Sequence, residues 1–130
     1  MGVRYPSVAT NVALNVLPAT NAETIICTTP PLTIPLDFAQ IIIFWFAQIT
    51  TGTSTTSLQM RVRRGATLAG AIIGTGWTLT IGAALNALPN GCYIDTPGAV
   101  AGQQYTLTCS QQGVTVAGTL IDQCLIAFAL

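Results

Sequence analysis

Polar and apolar residues alternate along most of this chain, and the alternation fails in two places. The first is the run Gln40-Ile41-Ile42-Ile43-Phe44-Trp45-Phe46-Ala47-Gln48-Ile49. β-Branched and aromatic residues dominate it, a composition that suits a pleated and buried surface, so the run predicts a strand. Side chains of a strand alternate between its two faces. One face then carries Ile41, Ile43, Trp45, Ala47 and Ile49, and the other carries Ile42, Phe44, Phe46 and Gln48. Both faces are apolar, whereas a small antiparallel domain normally leaves one sheet face to solvent. A neighbouring subunit is the simplest cover for the second face. Ile42, Phe44, Trp45 and Phe46 are therefore the candidate subunit-interface residues, with the choice of face left open. The second failure is Gln123–Leu130, again apolar on both sides, and the two runs are candidates for adjacent strands of one sheet.

Elsewhere the period of two predicts short strands punctuated by turn residues. Residues 1–22 read as an extended N-terminal arm, in which Val8, Thr10, Val12, Leu14 and Val16 share one face. Residues 23–130 read as one domain. Strands are expected over Glu23–Thr28, Leu32–Ile34, Ser57–Arg64, Leu68–Ile73, Trp77–Ile81, Tyr93–Ile94, Gln104–Ser110 and Val114–Ala117. Pro30-Pro31 interrupts the ladder because proline donates no backbone hydrogen bond. Turns are expected at Pro35 to Asp37, at Pro89-Asn90-Gly91, at Asp95-Thr96-Pro97-Gly98 and at the hairpin tip Gln111-Gln112-Gly113. Along Gln104–Ser110, Tyr105, Leu107 and Cys109 point inward and Thr106 and Thr108 outward. No segment shows sustained helical periodicity with capping residues. The expected fold is all-β, a β-sandwich of jelly-roll type with eight to ten strands.

Composition changes the picture in one respect. Charged residues make up 6% of the 130 positions, against about 25% in an ordinary soluble domain. Lys and His are absent, and the charges are Arg4, Arg61, Arg63, Arg64, Glu23, Asp37, Asp95 and Asp122, for a net charge of zero. Solubility usually rests on interspersed charge, so this surface points to a protein that works inside a permanent assembly. Without His or Lys the common general bases and Schiff-base nucleophiles are missing. No phosphate-cradling glycine pattern is present, and the isolated acids read as turn residues, so the expectation is a protein that is not an enzyme and carries no cofactor. Cys27, Cys92, Cys109 and Cys124 form no C-x-x-C pair and read as buried thiols rather than a zinc site. Glycines and threonines interrupt the uncharged window Ala66–Leu88, which argues against a membrane span. The N-terminal residues lack a signal-peptide core, so synthesis and assembly in the host cytoplasm are expected. Arg61, Arg63 and Arg64 are the only charge cluster. They read as a solvated strand end or as anchors for carboxylates on a neighbour. One short cluster neutralises too few phosphates for nucleic-acid binding.

A resemblance joins these features. The succession Pro30-Pro31-Leu32 to Leu36-Asp37, the apolar strand, the Thr50–Ser57 loop, Leu58-Gln59-Met60-Arg61-Val62-Arg63-Arg64-Gly65, Tyr93-Ile94-Asp95-Thr96-Pro97-Gly98 and Tyr105-Thr106-Leu107-Thr108 resembles small jelly-roll structural proteins of tailed bacteriophages. These include capsid decoration (cement) proteins and trimeric fibre heads. The resemblance covers residues 24–130. It implies a homotrimer on the virion, at the capsid surface, with the apolar sheet face at the three-fold axis. It also implies docking to the major capsid protein or other virion proteins, for which Arg61, Arg63 and Arg64 are the candidate residues, and it brings no catalytic residues. The alternative is a fibre or tail tip domain that binds a host receptor or glycan through the Thr50–Ser57 and Gly98–Gln104 loops with Trp77 or Tyr93.

Overall fold

A computed structural model describes residues 7–11, 15–16, 22–34, 40–51, 56–81, 86–112 and 118–129. Over these residues the fold is all-β, of jelly-roll type, with no helix. The strands are β1 (Ser7–Asn11), β2 (Asn15–Val16), β3 (Thr24–Thr28), β4 (Leu32–Ile34), β5 (Ile41–Thr51), β6 (Thr56–Arg64), β7 (Ile72–Ile81), β8 (Asn86–Ala87), β9 (Asn90–Asp95), β10 (Val100–Gln103), β11 (Tyr105–Gln112) and β12 (Gly118–Ala129). Sheet I places β12 and β5 side by side, with β1 and β2 along the outer edge of β12 and β8 and β9 along the outer edge of β5. Sheet II runs β3-β11-β6-β7, and β10 pairs with β4 in a separate two-stranded ribbon. All pairings among these strands are antiparallel. The stretch expected to form an arm thus supplies two short strands to the rim of sheet I.

The two sequence runs that are apolar on both faces, β5 and β12, are adjacent, in register from Phe46↔Cys124 to Ile41↔Ala129. Ile41, Ile43, Trp45, Ala47 and Ile49 of β5 face inward with Leu120, Leu125 and Ala127 of β12. Sheet II meets them with Cys27, Leu58, Met60, Val62, Ile73, Tyr105, Leu107 and Cys109 in one continuous core. Each large apolar side chain withdrawn completely from water contributes about 1.5–3 kcal/mol. Trp45 lies at the centre, 1% exposed, with its indole edge-on to Trp77 of sheet II at 6.5 Å and 82°. Its room depends on Gly91, the Cα partner of Trp45 on β9, where a Cβ would stand 2.4 Å from the indole nitrogen.

Several expectations are corrected. Leu68–Ile73 and Trp77–Ile81 are not two strands; β7 is continuous through both glycines, and Leu68 is exposed in the preceding turn. Gly74 and Gly76 adopt φ of 71° and 73°, which absorbs a register shift of β7 against β6 without ending the strand. Pro89-Asn90-Gly91 is not a turn, because β9 begins at Asn90 and pairs with Phe46. Part of the expected Gly98–Gln104 loop is β10, held against β4. Gln111 and Gln112 extend β11 rather than forming its tip. Thr106 and Thr108 do point away from the core, yet both are fully buried. Asp37, Gly113, Val114–Ala117 and half of the Thr50–Ser57 loop, residues 52–55, lie outside the described residues.

Candidate functional site

The outer faces of the two sheets differ in kind. On sheet II the side chains of Thr28, Thr106, Thr108, Arg61 and Arg63 share the outer face with Glu23. Arg63 donates to Glu23 through Nε (2.7 Å to Oε1) and Nη2 (2.6 Å to Oε2), and through Nη1 to the carbonyl of Gly70 (2.8 Å). Arg61 Nη1 reaches Glu23 Oε2 at 3.4 Å, and the Thr108 hydroxyl donates to Oε1 at 2.5 Å. The Thr106 hydroxyl donates to the Gly65 carbonyl at 2.7 Å. Glu23 thus reaches across central strand β11 to β6, which explains why Thr106 and Thr108 are dry. The guanidinium hydrogen bonds from Arg63 hold the Glu23 carboxyl well below its ordinary range, at about 2, against the upward push of burial.

Arg64, one residue on from Arg63, turns to the opposite face of sheet II, toward sheet I. Its Nε donates to Asp95 Oδ2 at 2.9 Å and its Nη2 to Oδ1. The Tyr105 hydroxyl donates to Oδ2 at 2.8 Å, and the Thr96 amide to Oδ1 at 2.9 Å. Asp95 therefore ties β9 of sheet I to β6 and β11 of sheet II. Burial and the facing carboxylate raise the Tyr105 pKa, and the hydrogen bond to Asp95 raises that of Arg64. The anchoring expected of Arg61, Arg63 and Arg64 needs correction: their carboxylate partners, Glu23 and Asp95, belong to the same chain. Arg63, with a side chain only 12% exposed, has little left to offer a neighbour.

The outer face of sheet I is apolar. Three cross-strand rows run over β9, β5 and β12: Ile94–Ile42–Phe128, Cys92–Phe44–Ile126 and Asn90–Phe46–Cys124. None contains a charged residue. Phe44, Phe46 and Ile94 are 42%, 49% and 58% exposed, and the rings of Phe44 and Phe128 stack at 5.8 Å. Of the four residues expected at a subunit interface, the structure gathers Ile42, Phe44 and Phe46 here. Trp45 is corrected: strand alternation puts it on the opposite face, where the core consumes it. Ile94, Ile126 and Phe128 complete the patch and were not singled out from sequence; the two-sided apolarity of Gln123–Leu130 was the available signal for the last two. Cys92 opens onto the same face, whereas Cys27, Cys109 and Cys124 are buried. Burial pushes the thiols of Cys27 and Cys109 up to about 12, which keeps them protonated and inert.

Two of the residues expected to recognise a receptor or glycan are engaged within the fold. Trp77 is half-buried against Trp45, and Tyr93 packs over Gly74, where a Cβ would stand 2.3 Å from its ring. Among the described residues no cluster of His, Cys, Asp and Glu could hold a metal ion.

No protein-family model matches the chain, and no curated protein does. Among solved structures, a chain from the infectious bursal disease virus Gx strain matches with a TM-score of 0.58 at 10% identity, over 95% of this chain and 32% of that one. This chain thus spans about a third of its viral neighbour. Weaker likenesses, with TM-scores of 0.44 and 0.41, are to the enzymatically active domain of tailspike protein 4 of bacteriophage CBA120 and to Bacillus endospore appendages, described as disulfide-linked pili. The tailspike match has 13% identity and covers 100% of this chain and 18% of that one; the appendage match has 15% identity and covers 99% and 92%. What the first likeness establishes is the fold: an all-β architecture that this chain shares with a viral protein.

Proposed function

We propose that this chain is a non-enzymatic virion structural protein, a decoration or cement protein that binds and stabilises a capsid shell as an oligomer. One observation carries the reading: the outer face of sheet I is apolar, open and without charge in its three rows, while that of sheet II is crossed by ion pairs within the chain. A soluble monomer rarely leaves a contiguous apolar sheet face in water, and such faces mark association sites. The low charge content of the whole chain and the fold shared with a viral protein support the same conclusion. Apolar burial between subunits supplies the association energy. Among the described residues, Arg61 and Arg64, whose side chains stay 29% and 38% exposed, are the basic groups that orient docking on the major capsid protein or another virion protein.

The test is co-sedimentation of the purified chain with undecorated shells of the parent virus. The folded protein should pellet with the shells and raise their resistance to heat. If folded protein stayed in the supernatant at every ratio, the proposal would be lost.

A further inference from the structure

We infer that the apolar outer face of sheet I seats a second copy of this chain, the same face on both partners, in a two-fold pair. The inference rests on the proposed function for its biological setting and deepens it by naming what covers the face.

Three observations support a copy of the chain as the occupant. The first is area. The exposed fractions of Phe44, Phe46 and Ile94 add up to about one and a half large side chains, or roughly 300 Å² at about 200 Å² each. The partly exposed Ile42, Ile126 and Phe128 bring the patch to roughly 400 Å². A standard interface buries about 800 Å² per partner, a little over half of it apolar. The patch therefore supplies the apolar share of one standard interface, and Gln48, Thr50, Asn86 and Asn90 around it are the uncharged polar residues of a rim.

The second is charge. A two-fold axis sets the patch against its own copy, so that any charge on it would come near a like charge and repel. The rows over Ile42, Phe44 and Phe46 hold none, so the face tolerates its own image.

The third is that the described residues offer no second apolar sheet face to match it. A heterologous contact needs a second, different apolar surface. Among the described residues the exposed large apolar side chains outside the patch are Leu88, alone between β8 and β9, and Ile25, Leu68 and Ile72 on sheet II and its adjoining turn. Ile25 is the Cα partner of Thr108 and Ile72 that of Arg63, which places both beside the Glu23 clamp. Packing sheet I there would bury what remains exposed of Glu23, Arg63 and Arg61, which carries a desolvation cost. Face-to-face packing of sheet I on sheet I involves no such cost, because two apolar sheet faces interdigitate about 10 Å apart. The stacked Phe44 and Phe128 rings hold their shape in advance. This arrangement differs from the trimer that the sequence resemblance implies, since a three-fold ring joins unlike surfaces.

Cys92 reports on the contact, being the exposed thiol among the four and lying in the central row. The full chain is examined by sedimentation equilibrium over a wide concentration range, alongside the rate of Cys92 labelling by a maleimide. The expected species is twice the 13.5 kDa chain. At ten times the midpoint concentration labelling should slow about fivefold, the factor by which free monomer is depleted. Phe44→Ser and, independently, Ile94→Ser should restore the monomer and full labelling while leaving the far-ultraviolet circular dichroism unchanged. A trimer, a monomer at every concentration with Cys92 freely labelled, or a dimer indifferent to both substitutions would each overturn the inference. Shell co-sedimentation is scored separately. Bound shells without a dimer refute the pairing and leave the proposed function standing, and a dimer that ignores shells does the reverse.

Discussion

Protonating Glu23 should cost this fold a large part of its stability, and the structure gives both the sign and the size. The carboxylate accepts two hydrogen bonds from Arg63 and one from Thr108, with Arg61 at 3.4 Å. These partners lower its pKa from an ordinary 4.5 to about 2. A carboxyl whose pKa is depressed by folding stabilises the native state above the unfolded value, and the contribution disappears as pH falls through the folded value. The window is therefore from about 4.5 down to about 2. At about 1.4 kcal/mol per tenfold, the gap corresponds to about 3 kcal/mol, and the 17% exposure of the Glu23 side chain trims this through solvent screening. The perturbation is Glu23→Gln, which keeps the side-chain shape and one acceptor but removes the charge. Urea unfolding of the wild type and the variant is measured between pH 7 and pH 2 at one protein concentration, so that the other carboxylates cancel. The wild type should be more stable by about 2–3 kcal/mol at pH 6, and the two curves should converge as pH falls through the window. A difference that stayed constant with pH, or that was absent at pH 6, would refute the clamp as an ionic device.

Other consequences concern the core and the second strut. Gly91→Ala places a methyl group against the Trp45 indole on a backbone without unusual φ, so the cost is steric, about 1–3 kcal/mol; thermal unfolding checks it, and an unchanged midpoint would contradict the close approach. Trp45→Ala should cost about 3–5 kcal/mol and lower stability at every concentration, as a core residue does, rather than merely dissociating an oligomer. Tyr105→Phe removes the hydroxyl donated to Asp95 and should cost about 1.5–3 kcal/mol, read by urea unfolding; a neutral result would show that Arg64 and the Thr96 amide satisfy Asp95 without it.

The pairing of β5 with β12 was legible because both runs are apolar at every second position and at the positions between, and strands of that kind seek each other inside a sheet. Sheet II was partly legible: Glu23–Thr28, Ser57–Arg64 and Gln104–Ser110 alternate cleanly, and all three form strands there. The candidate site was legible as a set of residues but not as a surface. Ile42, Phe44 and Phe46 share a face by simple alternation, yet Ile94 was hidden by reading Pro89-Asn90-Gly91 as a turn. That tripeptide has turn composition, but Gly91 is there to make room for a tryptophan on the neighbouring strand, 46 positions away in the sequence and so outside any local signal. The arginines misled for a similar reason. Three basic residues at a strand end look like free charge until Glu23 and Asp95, 40 and 31 positions distant from Arg63 and Arg64, arrive beside them.

The amino-acid sequence by itself determined that this protein is all-β, that it carries too little charge for an ordinary soluble surface, and that two strands lack a polar face. These are local and compositional properties, readable wherever side chains alternate about a backbone. Tertiary structure decided which face of β5 the core would take. Gly91 leaves a recess on only one side of the sheet, Trp45 fills it, and the even-numbered residues Ile42, Phe44 and Phe46 are turned outward as a result. It also decided that sheet II would seal itself, because a carboxylate and a guanidinium on separate strands find each other only after β11 has been laid between them. The contrast between a sealed face and an open one, from which the function is inferred, depends on both outcomes.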